Sequence, residues 1–468
     1  MDGTTDAAFR SAWPQAMTVS ERGTLLLDGV DLLDLARRRG TPTWVVSAST
    51  ITANYDRIID AFGARYPRVE LAYSVKANNA FAVLEHLRAR GAHFDCGAEY
   101  EYELALAGGV SPSRCIVNGN GKSERALAAI AANGARQVVV DSLDEVGRLQ
   151  KAAADRDTRL DCLLRVRLTY ERLLEQDPGY RVMLDVGMGK FGVSVASDQA
   201  TAVVEAIDRA ANLDFRGLHH HIGFSGYMAD YSRDHELMHH HESARELAAF
   251  ATAIQRSLGV AVERLDLGGG YRAGRPVLLS TPGGGTDAAL HPLPTAEEYA
   301  DAVFGGLGSA LEVDHRPLVQ FEMGAHLLAD AGVMLTEVIE VKDTAPEPGT
   351  RYVVTDGGMW MFVNRLSMRV GHPVVKAKDP LAAPDERWPV VVCGQVCVFD
   401  AVAENVPFPA VAPGEVLAYL HQGAYTDTQS TQFNAFPRPE MLLVQDGEVV
   451  IAKRRETLED LVARNITP

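Results

Sequence analysis

A lysine between apolar neighbours, Val75-Lys76-Ala77, is the first residue in this chain whose setting suggests chemistry. A buried ammonium is costly unless it is paired or used, and desolvation moves its pKa toward that of an amine able to form a Schiff base. The plainer reading is a lysine snorkelling out of a strand end. Other reactive or charged residues close short β-rich runs in the same way. Asp95 ends HFD, Arg165 lies in LLRVR, His221 ends LHHH and Glu322 ends VQFE. The triplet Gly268, Gly269 and Gly270 follows LDL. Backbone N–H groups of such a turn can cradle a phosphate, although three glycines also mark an ordinary tight turn.

Three tempting motifs carry less. NGNGKS (118–123) resembles a nucleotide-binding loop but has Ile116 where that motif needs its first glycine. The His219–His221 triplet lies on a strand and His239–His241 on a helix, so neighbouring rings diverge and no metal is expected. Cys393 and Cys397, in CGQVC, lack a matching pair for zinc.

The elements that must position these residues follow from hydrophobic pattern. Strands apolar on both faces, such as VELAYSVKA (69–77), HFDC (93–96), QVVVDS (137–142) and PLVQFEMG (317–324), alternate with helical stretches such as 80–90, 99–107 and 242–258. TWVVS (43–47) reads as the first of these strands. The alternation implies a parallel sheet, and the number of units suits a closed (β/α)₈ barrel over 45–332. Active sites of such barrels lie at the C-terminal ends of the strands, where Lys76, Asp95, Arg165, His221, Gly268–Gly270 and Glu322 all fall. After about residue 333 the runs become β-like with tight turns, so 1–44 and 333–468 are read as a mainly antiparallel β-domain. The Pro/Gly-rich stretch 273–294 is read as a loop insertion near the site.

Composition bounds the rest. The chain has 468 residues and 47% hydrophobic content, enough for a barrel of roughly 250 residues and a second domain. A net charge of -17 disfavours nucleic acid and anionic membranes as partners. Five cysteines are too few and too odd for a secreted disulfide framework. No signal peptide or transmembrane stretch is expected, so the default location is cytoplasmic.

Taken jointly, the blocks GTPTWVVSASTITANY (40–55), AYSVKANN (72–79), FDCGAEYEYELAL (94–106), HIG (221–223), LDLGGGY (265–271), FEMG (321–324), GQVCVFD (394–400) and GAYTDTQSTQFNAFPRP (423–439) resemble the fold-type III pyridoxal-phosphate decarboxylases. That family includes diaminopimelate and ornithine decarboxylases, with alanine racemase a more distant cousin. The resemblance implies that Lys76 holds pyridoxal 5'-phosphate, His221 stacks on its ring and Glu322 faces the ring nitrogen. It implies that Gly268–Gly270 and Tyr425 bind the phosphate, and that Asp95, Glu101 and Arg165 shape the pocket. Cys397, donated by the other subunit of a head-to-tail homodimer, would protonate the product carbon, and Phe433 would line the pocket. Asp356, Asp400 and Arg365 are candidates for substrate contact.

The departures from the family pattern also carry information. The family's E-P-G-R stands here as Glu322-Met323-Gly324-Ala325, without the arginine. H-x-G-S becomes His221-Ile222-Gly223-Phe224, its serine lost or moved to Ser225. Val398 replaces the acidic residue after the cysteine, and Asp400 arrives early. The resulting expectation is decarboxylation of an amino acid or amino-acid conjugate other than diaminopimelate. Two alternatives stand beside it: a pyridoxal-phosphate epimerase, and a cofactor-binding regulator without turnover. A carboxylate at the ring nitrogen makes a strong electron sink, and with Cys397 retained it favours decarboxylation.

Overall fold

Short β-branched runs can form a sheet that is buried on both faces only if helices cover the outside, and half of this chain does that. A computed structural model describes residues 10–11, 13–176, 189–223, 232–272, 277–280, 286–313, 315–344, 349–361, 370–385, 389–398, 400–406 and 408–466. Eight parallel strands close on themselves: β1 Val69–Ser74, β2 His93–Cys96, β3 Cys115–Val117, β4 Gln137–Val140, β5 Leu160–Arg167, β6 Leu213–His219, β7 Arg264–Asp266 and β8 Leu318–Met323. The ring closes where β8 pairs with β1, Glu322 opposite Ala72. A two-residue strand, Val193–Ser194, lies beside β5.

The covering helices carry their own start and stop signals. Ser123 caps the helix Glu124–Asn133, its Oγ accepting from Ala126 N, and Gly134 follows it. Thr295 and Glu298 form a capping box on Ala296–Ala310. Arg233–Leu258 starts at Ser232 and stops at Gly259, which adopts the left-handed conformation. Among the described residues, only the four-residue helix Ala325–Leu328 directly follows β8. The helix Ala48–Gly63, which precedes β1, serves that side of the barrel. Its Phe62 packs edge-on against Phe321 at 4.6 Å and Phe304 at 5.9 Å between ring centroids.

The chain divides into two compact units, one of 55–271 and 294–324 and one of 1–54, 272–293 and 325–468. The second unit is built on a large, mainly antiparallel sheet around the strand Gly332–Asp343, over a core that includes Leu25, Leu35, Val45, Val333, Leu335, Ala418 and Leu442.

Two expectations are corrected here. Thr43–Ser47 is not a barrel strand; it pairs with Gly332–Leu335 and Glu440–Val444 in the second sheet. An apolar run of five residues reads alike in either sheet, and only its partners decide. The stretch 273–294 is not a plain loop. Val277–Ser280 and Thr286–His291 form a hairpin that pairs with Val370–Gly371 in the second unit. Its many glycines and prolines hid two short strands.

Candidate active site

Lys76 lies just beyond β1, on the single 3₁₀ turn Val75–Ala77, rather than within the strand. That turn lifts the side chain out of the sheet, and 39% of it is exposed, whereas the Asp95 carboxylate it meets is fully buried. Lys76 Nζ donates to Asp95 Oδ2 at 2.6 Å. Ser74 Oγ donates to the same oxygen at 2.9 Å, and Asn118 Nδ2 to Oδ1 at 2.7 Å. Burial alone would raise the Asp95 pKa. The Lys76 charge and these hydrogen bonds outweigh it and bring the pKa down to about 2, so the acid is ionised.

Asn118, on the loop after β3, extends the chain of contacts across the barrel. Its Nδ2 also donates to Glu322 Oε1 on β8, and His219 Nε2 meets Glu322 Oε2 at 3.3 Å. Burial and the nearby Asp95 charge push the Glu322 pKa up to about 8, against the opposing pull of Lys76, Asn118 and Arg165. A partner cation is what this carboxyl lacks, and a protonated ring nitrogen would supply one.

Gly268, Gly269 and Gly270 follow β7 in a turn with no room for side chains. A Cβ on Gly269 would lie 2.5 Å from the Glu322 carbonyl oxygen, and one on Gly268 2.6 Å from that of His220. Gly270 has φ +99°, a conformation that side chains disfavour. Only bare backbone fits there, as a phosphate cradle requires. Asp266 Oδ1 anchors the turn by accepting from Gly268 N at 2.9 Å.

His221 lies beyond the end of β6 (Leu213–His219), with Nδ1 accepting from Gly223 N at 2.9 Å. Burial, then the charges of Arg165 and Lys76, lower its pKa well below the usual range, so the ring is neutral. Arg165 is buried on β5 with its guanidinium 4.3 Å from the Phe191 ring centroid. Glu101, in the first turn of Glu99–Ala107, accepts from Gly97 N at 2.7 Å, and burial raises its pKa.

The strand-end residues singled out from sequence are thus drawn together by the barrel. Sequence reasoning passed over Ser74, Asn118, His219 and Asp266. Asn118 had the same signal as Lys76, a polar residue just after an apolar strand. His219 was weighed only as a member of its triplet. In the barrel it faces Asp266 and Glu322, the three offering ligand-type atoms within 4.8 Å of one another. The hydrogen bonds from Asn118, Gln137 and Gly268 to these carboxylates mark an acid–imidazole cluster of the site.

The remaining candidates lie in the second unit. Cys397 is exposed, its backbone N donating to Asn434 Oδ1 at 3.1 Å. Phe433 is exposed, and Tyr425 has φ +57°. Asp400 and Asp356, the acids raised as candidates for substrate contact, each meet groups of their own unit. Asp400 is buried against Gly358 and Gly394, and burial lifts its pKa to about 6. Asp356 Oδ1 accepts from Glu337 N at 2.9 Å, and its side chain also bonds to Thr41. Ser225 and Arg365 lie outside the described residues.

The residues present fit pyridoxal phosphate: an amine at the mouth, a carboxyl with a free need for a cation, and a side-chain-free turn. Comparisons agree. The family model for the pyridoxal-binding domain of pyridoxal-dependent decarboxylases matches residues 49–329, and the chain belongs to that family. It is similar to the diaminopimelate decarboxylases of Methanothermobacter thermautotrophicus (29% identical, over 96% of this chain and 97% of that one) and Actinosynnema pretiosum (31%, over 97% and 95%). Among solved structures, the diaminopimelate decarboxylase of Methanocaldococcus jannaschii aligns with a TM-score of 0.83 at 25% identity, over 97% of this chain and 98% of that one. The chain is therefore a pyridoxal-phosphate-dependent amino-acid decarboxylase of the (β/α)₈-plus-β-domain type. The expectation that diaminopimelate is not its substrate finds no support among these relatives. Among the described residues, no helix is long and apolar enough to cross a membrane.

Proposed function

We propose that this enzyme decarboxylates an α-amino acid of the diaminopimelate type, with Lys76 as the cofactor-holding amine. The observation that carries the reading is the buried relay Lys76–Asp95–Asn118–Glu322, which joins an amine at the mouth to a carboxyl lacking a cation. Bound pyridoxal phosphate supplies a ring into which the electrons left by loss of carbon dioxide can spread. Glu322 would hold a proton on the ring nitrogen, a charge that would make the ring a strong sink. His221, neutral, would stack on the ring without competing for that proton. Gly268–Gly270 and Tyr425 would hold the phosphate. Asp95 would orient the Lys76 side chain toward the cofactor.

Cys397 of a second copy delivers the proton to the product carbon, and Phe433 lines the same pocket, so the working unit is a homodimer. The full-length relatives named for diaminopimelate support that substrate. A second reading, an amino acid with a less polar far end, is favoured by Ala325 and Val398, which stand where the family pattern has charged side chains. Carbon dioxide release from diaminopimelate against a panel of amino acids separates the two. Mixing inactive Lys76→Ala and Cys397→Ala chains tests the shared site: hybrids with one intact site regain activity, and none returns if each copy works alone.

A further inference from the structure

His219 ends β6, Asp266 ends β7 and Glu322 lies near the end of β8, three neighbouring strands. Register sets His219 opposite Asp266, and Asp266 opposite Gln320, two residues before Glu322 and on the same face of β8. All three side chains are almost wholly buried. Glu322 is thereby gripped at both oxygens, by Asn118 Nδ2 at Oε1 and by His219 Nε2 at Oε2. Once a ring-nitrogen cation ionises Glu322 its carboxylate only accepts, so His219 would then carry its proton on Nε2 in this contact. The other ring nitrogen, Nδ1, is buried and has no hydrogen-bond partner among the described residues, so Nε2 makes the polar contact shown for this ring.

Asp266 ties the same cluster to the glycine turn. Its Oδ1 accepts from Gly268 N at 2.9 Å and its Oδ2 from Gln137 Nε2 at 3.4 Å. The anchor of the proposed phosphate turn and the anchor of Glu322 are thus side by side on the barrel wall.

We infer that His219 is a positioning residue, fixing Glu322 through Oε2 so that its carboxylate meets the cofactor's ring nitrogen in one orientation. The inference rests on the role proposed above for Glu322. The titratable groups around Glu322 are Lys76, Asp95, Arg165, His219, His221 and Asp266, and from the end of β3 it meets the neutral Asn118.

The test uses holoenzyme carrying His219→Leu, His219→Gln or His219→Asn. The readouts are the pH titration of the bound cofactor's visible band, kcat and KM, and peptide mapping after borohydride. Glutamine can place an N–H near Nε2, whereas leucine has no donor and asparagine falls short. Leucine should move the band's midpoint by about one pH unit and lower kcat about tenfold, with KM within about twofold. Glutamine should restore most of both. An unmoved midpoint in the leucine variant, or equal impairment by glutamine and leucine, overturns the inference. If the leucine variant fails to fold, the glutamine–asparagine pair decides, and equal midpoints in those two count against it. A wild-type enzyme with no pyridoxyl group on Lys76 overturns the parent reading; an adduct with unmoved midpoints overturns only the role of His219.

Discussion

Two lysines of this barrel follow the C-terminal ends of β1 and β3 and meet buried carboxylates, yet they are used oppositely. Lys122, from the NGNGKS stretch, is 5% exposed at its side chain. Its Nζ donates to Glu145 Oε1 at 2.7 Å, Val139 O at 2.7 Å and Gly119 O at 2.8 Å. Three acceptors saturate an ammonium, so this lysine fastens the loop after β3 and has no donor left for a ligand. Lys76 is 39% exposed and reaches its carboxylate from the rim of the barrel. A carboxylate partner alone therefore does not mark a reactive lysine. What separates the two is the exposure of the amine: Lys76 can be reached from the rim, whereas Lys122 is enclosed with its carboxylate.

The largest expected effect breaks the comparison at Lys76. Lys76→Ala should lower carbon dioxide release by on the order of 10⁴-fold, a loss far larger than the fall in folded fraction from leaving Asp95 without its ammonium, both measured on the same preparation. Lys122→Met should do the reverse in kind. It strands the buried Glu145 and should destabilise by about 3–5 kcal/mol in urea unfolding. Adding Glu145→Leu should recover much of that loss, because the uncompensated charge is then gone.

Acid and base titrations sharpen the contrast further. Asp95 has a folded-state pKa depressed from 3.8 to about 2, so its contribution is present above about pH 4 and is lost as pH falls through 2. That contribution is on the order of 2 kcal/mol, and Asp95→Asn should flatten the acid limb of the stability curve. Glu322 runs the other way. Its folded pKa is raised from 4.5 to about 8, so in protein prepared without cofactor its own contribution is full below pH 4.5 and is lost as pH rises through 8. Glu322→Gln should remove that slope in urea unfolding; a slope that persists would place the titrating group elsewhere. The smallest effect expected is at Gly269→Ala. Its Cβ would press on the Glu322 carbonyl and should cost at least about 1 kcal/mol, read as weaker cofactor retention on dialysis.

Much of the site was legible because a barrel gives one rule for many residues. Polar groups at the C-terminal ends of apolar strands share a mouth, and the rule found Lys76, Asp95, Arg165, His221, the glycine triplet and Glu322. It missed Asn118 because NGNGKS drew attention as a possible nucleotide loop. His219 was missed because alternation within one strand says nothing about what the next two strands present to it. The rule does not reach Asp356 and Asp400, since an acid in a turn reads the same in sequence whether it faces a ligand or the backbone N–H groups of its own domain that both meet here.

The sequence by itself determined the alternation of buried strands and capped helices, the lysine at a strand end and the glycines where no side chain fits. Those depend on local pattern, which is written residue by residue. Tertiary structure alone decided that Thr43–Ser47 joins the second sheet, and that Asn118 bridges two acids. It also decided that one of two paired lysines stays at the rim while the other is locked in. Partners across a closed sheet are far apart in the chain, and hydrogen bonds and burial belong to the partners a residue meets in space.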